Sequence, residues 1–282
     1  MFAVTGATGH LGTKVISSLR QHVEASKIIA VARDAAKGSA LGVAVRIADY
    51  KDKEALTRAF DGVDTLLLIS SSSLDARRIE HANALVAAKN AAVKHVIYTS
   101  LLHGEAWGLP FAEDHLLTEK ALKELGADYT ILRNGWYWEN NTSRIPVAAQ
   151  SGALIGAAGD AKVSWASRQD FADAAVAVMT GAGHVGQTYE LAGDAAHTFR
   201  DLAAEAARQI GRAVRYDNLS EADFAATLEG AGLPRPVALM VAEIEARGVA
   251  MSRLKDSSGA LSKLIGRPTQ TIELAVAEAL RA

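Results

Sequence analysis

The chain has 282 residues, 49% hydrophobic and 22% charged, with a formal net charge of −2. This composition suits a globular protein with a sizeable core, and it offers no basic surplus for nucleic acid or an anionic membrane. The absence of cysteine excludes disulfides, thiolate metal ligands and a cysteine nucleophile, and it suits a reducing compartment.

A strand pattern begins at Phe2, so no signal peptide is expected. No apolar run reaches the roughly 18 residues of a membrane span, and the protein is read as cytoplasmic. Continuous apolar runs at 2–5, 28–32, 43–47, 65–69, 95–99 and 129–132 read as strands covered on both faces. Helical stretches separate them at 11–22, 53–60, 76–91 and 112–125. In 76–91, Ile79, Ala82, Leu85, Val86 and Lys89 follow helical spacing and are expected to form the buried stripe, with Lys89 at its wet edge. The alternation predicts an α/β fold, a doubly wound parallel sheet of the Rossmann type.

After about residue 135 the alternation loosens. Residues 134–137 and 152–158 carry aromatics and glycines, as a cofactor-facing loop would. A helix is expected over 169–180, a strand over 189–191, and a helix over 198–210 with Thr198 as N-cap and Gly211 at its end. Residues 220–223 resemble a capping box, and the prolines at 234 and 236 punctuate a final helical region. The expected organisation is a dinucleotide-binding domain over 1–135. The segment 136–282 then completes the sheet and forms a smaller C-terminal substrate lobe over the sheet's carboxyl edge.

The strongest chemical signal is Gly6-Ala7-Thr8-Gly9-His10-Leu11-Gly12, between the first strand and the first helix. A pyrophosphate needs a tight turn, a close backbone approach and free helix N–H groups, and glycine allows the first two. The third glycine lets the helix pack closely on the strand. The second signal is Arg33. Where an NAD-binding fold places an acid for the ribose 2′-hydroxyl, the strand ends Val31-Ala32-Arg33. A guanidinium there can grip a 2′-phosphate bidentately, with Lys37 assisting; the alternative is a solvated loop arginine. Asp34 keeps NAD open but reads better as a helix cap. Asp49 is either an adenine contact or a turn aspartate. Ser70, Ser71, Ser72 and Ser73 let the backbone pass close to the cofactor and cap a helix expected from Leu74.

Further blocks complete the pattern: 67–71, 98–103, Glu119-Lys120, 132–137, 155–160, 189–194 and 261–268. With the glycine turn they resemble the atypical short-chain dehydrogenase/reductases of the NmrA-like group. Within it the match is to the bacterial NADPH:quinone oxidoreductase 2 type, with triphenylmethane reductase a near relative. The resemblance implies NADPH and two-electron reduction of quinones, with a homodimer as the family's assembly.

The general short-chain dehydrogenase pattern uses Tyr-x-x-x-Lys. Lys120 stands at the Lys position, but the Tyr position is Leu116, which puts alcohol dehydrogenation in doubt. Lys120 is the candidate contact to the nicotinamide ribose, or else a solvated lysine. His115 is the alternative proton source, or else a surface or capping histidine. Asn134, Gly135, Trp136 and Tyr137 are expected beside the nicotinamide. Trp136 and Tyr137 would stack on a flat acceptor or pack the lobe. Asn140 and Asn141 would bond a quinone oxygen or cap a turn, and Asp170 reads as a structural cap. No metal constellation appears. Two other readings stay open: a non-enzymatic NADP(H)-binding redox sensor, and a reductase of triphenylmethane-type dyes.

Overall fold

The computed structural model of the chain describes residues 1–73 and 75–281. Among them the strands are β1 (Phe2–Val4), β2 (Ile28–Ala32), β3 (Ala44–Ile47), β4 (Thr65–Leu68), β5 (His95–Leu101), β6 (Asp128–Asn134), β7 (Ala153–Gly156), β8 (Thr188–Leu191) and β9 (Arg215–Asn218). Between the first six run α1 (His10–Leu19), α2 (Ala35–Ser39), α3 (Lys53–Ala59), α4 (Arg77–Asn90) and α5 (Pro110–Lys123). The chain divides into two compact units. The first joins Met1–Asn134 to Arg168–Leu191, and the second joins Gly135–Ser167 to the chain from Ala192 on.

The first unit holds a seven-stranded sheet in the order β3-β2-β1-β4-β5-β6-β8, and every neighbouring pair is parallel. The doubly wound parallel sheet expected from the sequence is present. Alternate strand residues face opposite layers. Ala3, Ile29, Val31, Leu66, Leu68, Val96, Tyr98 and Ile131 cluster with Leu56 of α3, Leu85 of α4 and Leu122 of α5. On the other face α1 packs along the helix Arg168–Thr180, and Ser18 Oγ donates to Asp173 at 2.8 Å between them. With both faces covered, the strands are apolar throughout rather than alternating.

The helix α4 corrects one expectation. Ile79 and Val86 are exposed, at 66% and 43%, as are Ala82 and Lys89. The buried side is Arg77, Glu80, His81, Ala84, Leu85, Ala87 and Ala88. Alanines pack the helix closely on the sheet, and the polar residues turn inward because partners await them there. Helical periodicity could not choose between two faces that both repeat at this spacing.

In the second unit β7 pairs in parallel with β9, so 153–156 is a strand rather than the expected open loop. Gly156 serves close packing: a Cβ there would lie 2.9 Å from Glu245 Oε2 and 3.1 Å from the Tyr216 ring. The helix Phe199–Ile210 starts with a Thr198–Asp201 capping box and ends at Gly211 with φ 71°. Ser220 caps Glu221–Gly230 by accepting from the Asp223 N–H. Among the described residues no helix is long and apolar enough to cross a membrane.

Candidate functional site

Strand order reverses between β1 and β4, the topological switch point where open α/β sheets bind ligands. A cleft of about 420 Å³ opens there, lined by the segments that leave β1, β2, β3 and β4. The glycine turn forms its floor. Gly6 has φ +57°, and its carbonyl accepts from the Gly9 N–H at 2.9 Å. Gly12 is required by contact, since a Cβ would lie 2.3 Å from Gly6 O and 2.7 Å from Ala7 Cα. At Gly9 a Cβ would meet only Gly6 O, at 3.2 Å. The first-turn amides of α1 have no intrahelical acceptor and lie beside the cleft, so the turn combines donors, a positive dipole end and a stripped backbone. These are the features a phosphate requires. Thr8, His10 and Leu11 also line the cleft. Ala7 does not: it is wholly buried, and its N–H donates to Val31 O.

Arg33, Lys37 and Asp49 line the cleft at β2 and β3. Arg33 Nη1 stands 3.9 Å from Asp49 Oδ2, with its side chain 78% exposed. Asp34 is the cap read from the sequence: Oδ1 accepts from the N–H groups of Ala36 and Lys37, at 2.8 and 3.2 Å. The carboxylate is thereby committed to α2. Asp49 Oδ1 accepts from the Lys51 N–H at 2.9 Å, a turn aspartate that also faces the cleft. Tyr50, unmarked by any motif, reaches across the switch point. Its hydroxyl contacts Thr5 Oγ1 and Ile69 O, both at 2.6 Å, and burial pushes the phenol well above its usual range.

The serine segment after β4 forms one wall, but it neither caps α4 nor offers a row of donors. Leu74 lies outside the described residues. The helix begins at Arg77, and its N-cap Ala76 makes no side-chain cap bond. The Ser70 N–H donates to Thr99 Oγ1, the Ser71 N–H to His81 Nε2, and the Ser73 N–H to Ser71 Oγ. The hydroxyls of Ser71 and Ser73 donate to Glu80, and Arg77 Nε donates to Ser71 O at 2.9 Å. The donors left open to the cleft are those of the glycine turn and the first turn of α1. The serines, Ser72 among them, supply a small-residue wall.

Behind this wall lies a buried polar chain that no motif announces. His81 Nδ1 is 2.9 Å from Thr118 Oγ1 and 3.4 Å from the Tyr98 hydroxyl, which is 2.8 Å from His115 Nδ1. Burial, aided by the Arg77 guanidinium, holds both imidazoles down to about 3, so both are neutral. His115 is 6% exposed, neither a surface nor a capping residue, which corrects the simpler reading of it. Lys120, in contrast, is exposed on α5 and lines no part of this cleft.

At the carboxyl ends of β5 and β6, Arg133 donates to Glu105, Glu119 and Glu190. Glu190 also accepts from the His103 N–H at 2.9 Å, at a residue with φ +51°. Asn134 ends β6, 4% exposed, and its carbonyl accepts from the Leu102 N–H. Gly135, Trp136, Tyr137 and Asn140 belong to the second unit. There Gly135 is buried, both aromatics are half-buried and Asn140 is exposed. Asn141 is committed to packing: Oδ1 accepts from Trp165 Nε1 at 2.9 Å, and the amide faces Glu245. Asp170 is buried in the first turn of Arg168–Thr180.

Residues 1–260 match the NmrA-like family. The chain is 52% identical over 275 residues to quinone oxidoreductase 2 of Escherichia coli, with 96% of each chain covered. Among solved structures it is similar to the NADPH-dependent quinone oxidoreductase of E. coli in complex with NADPH, at 51% identity, 99% coverage of each chain and TM-score 0.95. It is also similar to the triphenylmethane reductase of Citrobacter sp. complexed with NADP(H), at 37% identity and TM-score 0.95, covering 99% of this chain and 100% of that one. The chain belongs to the NmrA-like family.

Proposed function

We propose that this chain is an NADPH-dependent oxidoreductase that passes hydride to quinones without a flavin. The observation that carries the reading is the cleft at the switch point, with a glycine turn and helix N-terminus at its floor and Arg33 and Lys37 at its β2 side. NADPH, when bound, supplies the hydride. The glycine turn would hold the pyrophosphate, and Arg33 with Lys37 the 2′-phosphate that separates NADPH from NADH. Asn134, Gly135 and Lys120 are proposed for the nicotinamide end, with Trp136, Tyr137 and Asn140 for the acceptor. Leu116 leaves no phenol to protonate an alkoxide. A reaction needing that acid would lose roughly 10²–10⁴-fold, whereas a quinone's product oxyanion is delocalised and takes its proton later. Quinones are therefore the favoured acceptors over simple ketones. We place the enzyme in the cytoplasm, as a homodimer.

The test is NADPH oxidation by the purified protein on addition of a benzoquinone. NADH, a simple ketone of similar size and a triphenylmethane dye run in parallel. A colourless protein, a primary isotope effect with NADPH deuterated at the transferred position, and preference for NADPH and quinone are expected. A tightly bound flavin, or comparable rates on ketones, would overturn the mechanism. Cofactor binding with no turnover on any acceptor would leave a sensor in its place.

A further inference from the structure

The buried chain behind the serine wall has a direction, and the direction ends on an unused donor. A backbone N–H can only donate, so the Ser71 N–H makes His81 Nε2 an acceptor, at 2.9 Å. A neutral imidazole with an accepting Nε2 carries its proton on Nδ1. That proton points to Thr118 Oγ1, whose own proton goes to Asp114 O at 2.8 Å. In this arrangement the Tyr98 hydroxyl, 0% exposed on β5, donates to His115 Nδ1 at 2.8 Å, with the Thr118 and Ser70 hydroxyls as its further partners. An imidazole accepting at Nδ1 carries its proton on Nε2. His115 Nε2–H is therefore a donor without an acceptor among the described residues.

Its neighbours place it. The His115 ring meets Phe111 edge-on at 5.4 Å, and Phe111 meets Trp107 at 6.1 Å. Trp107 Nε1 donates to Leu102 O, in the segment that leaves the carboxyl end of β5. One position along α5, where the general pattern has its phenol, Leu116 packs over Gly104 of that same segment. The strands β4 to β6 form the second mononucleotide half of a doubly wound sheet, whose carboxyl edge takes the end of the dinucleotide opposite the adenosine.

We propose that His115 is a catalytic residue of the quinone reduction, donating an Nε2–H hydrogen bond to the acceptor oxygen on which charge develops, with Tyr98 as the positioning residue that fixes its tautomer. This rests on the quinone reductase reading above. The imidazole is an electrophilic donor rather than an acid: it keeps its proton, and the hydroquinone anion is protonated afterwards by water. A neutral imidazole suits that task, being a donor that leaves no charge uncompensated in an apolar site.

The experiment compares wild type with His115→Leu, His115→Gln and Tyr98→Phe, using p-benzoquinone as acceptor. It reads kcat, quinone KM, NADPH affinity by fluorescence and the unfolding midpoint at pH 7.5. His115→Leu should lower kcat on the order of 10²-fold, as for loss of one donor to a developing oxyanion, with NADPH affinity unchanged. His115→Gln, which returns an N–H near the Nε2 position, should recover much of the loss. Tyr98→Phe should fall between. Unchanged kcat in His115→Leu overturns the proposal, as does a glutamine variant no better than leucine, or a kcat loss matched by lost NADPH affinity. If the leucine variant does not fold, the glutamine and Tyr98→Phe pair decides by the same criteria. A wild type that binds NADPH but reduces no quinone removes the underlying reading instead.

Discussion

Lowering the pH from 7 to 5 should destabilise the fold through His81 and His115. Both are held neutral to about 3 by burial and by Arg77, whereas an unfolded histidine titrates near 6.5. Between those values the unfolded chain binds more protons than the folded one. The stability these groups allow is present in full above the unfolded value and is lost as pH falls through the window. Each site loses 1.36 kcal/mol per pH unit once well below 6.5, which is about 2 kcal/mol at pH 5 and about 4 for the pair. Against a typical stability of ~5–15 kcal/mol this is large. Urea unfolding at fixed ionic strength measures it, with the m-value checked for constancy. Carboxylates titrate nearby, so the decisive quantity is a difference: His115→Leu should reduce the slope of stability between pH 6 and 5 by the equivalent of one proton. Equal slopes in wild type and variant would refute the argument.

Other substitutions probe the cleft and its support. Gly12→Ala should abolish dinucleotide binding and lower the unfolding midpoint, because its Cβ would collide with the backbone of Gly6 and Ala7; NADPH titration with fluorescence reads the first, and full affinity would refute it. Arg33→Ala should weaken NADPH by roughly 1.5–3 kcal/mol and NADH hardly at all, so equal losses in calorimetry would remove Arg33 from the 2′-phosphate. Arg133→Met leaves Glu119, 3% exposed, without its cation and should cost ~3–5 kcal/mol of stability, read by urea denaturation. Lys120→Ala should lower turnover or NADPH affinity, and wild-type values for both would remove Lys120 from the nicotinamide end.

The parallel sheet was legible because burial on both faces imposes unbroken apolar runs, and each run sits close to an observed strand. The glycine turn was legible because its constraint is local: Gly6 and Gly12 are demanded by backbone geometry a few residues away. Asp34 as a cap follows from the same locality. The inward side of α4 was not legible, since Ile79 and Val86 repeat as regularly as Ala84 and Leu85. Only the partners at Ser71, Ser73 and Thr118, which carry no helical spacing, decide which way Glu80 and His81 turn. Tyr50, Tyr98 and His81 carry no spacing signature at all; they were found only through hydrogen bonds spanning 17 to 45 residues of chain. The strands β7 and β9 were missed because short polar-edged segments such as Arg215–Asn218 resemble turns until a partner strand is known.

The first unit is not one continuous stretch of chain. Its edge strand β8 and the helix Arg168–Thr180, against which α1 packs, arrive after an excursion through Gly135–Ser167. On the ribosome, the glycine turn and six of the sheet's seven strands emerge long before the layer that covers α1. At ~5–20 residues per second the missing stretch takes roughly 3–11 s to appear. During that interval α1, whose Val15, Ile16 and Leu19 are buried in the finished fold, lacks the helix Arg168–Thr180 against which it packs. Nascent chains stalled short of Leu191 should therefore be chaperone clients and protease-sensitive, and protection should set in only once that residue has cleared the exit tunnel.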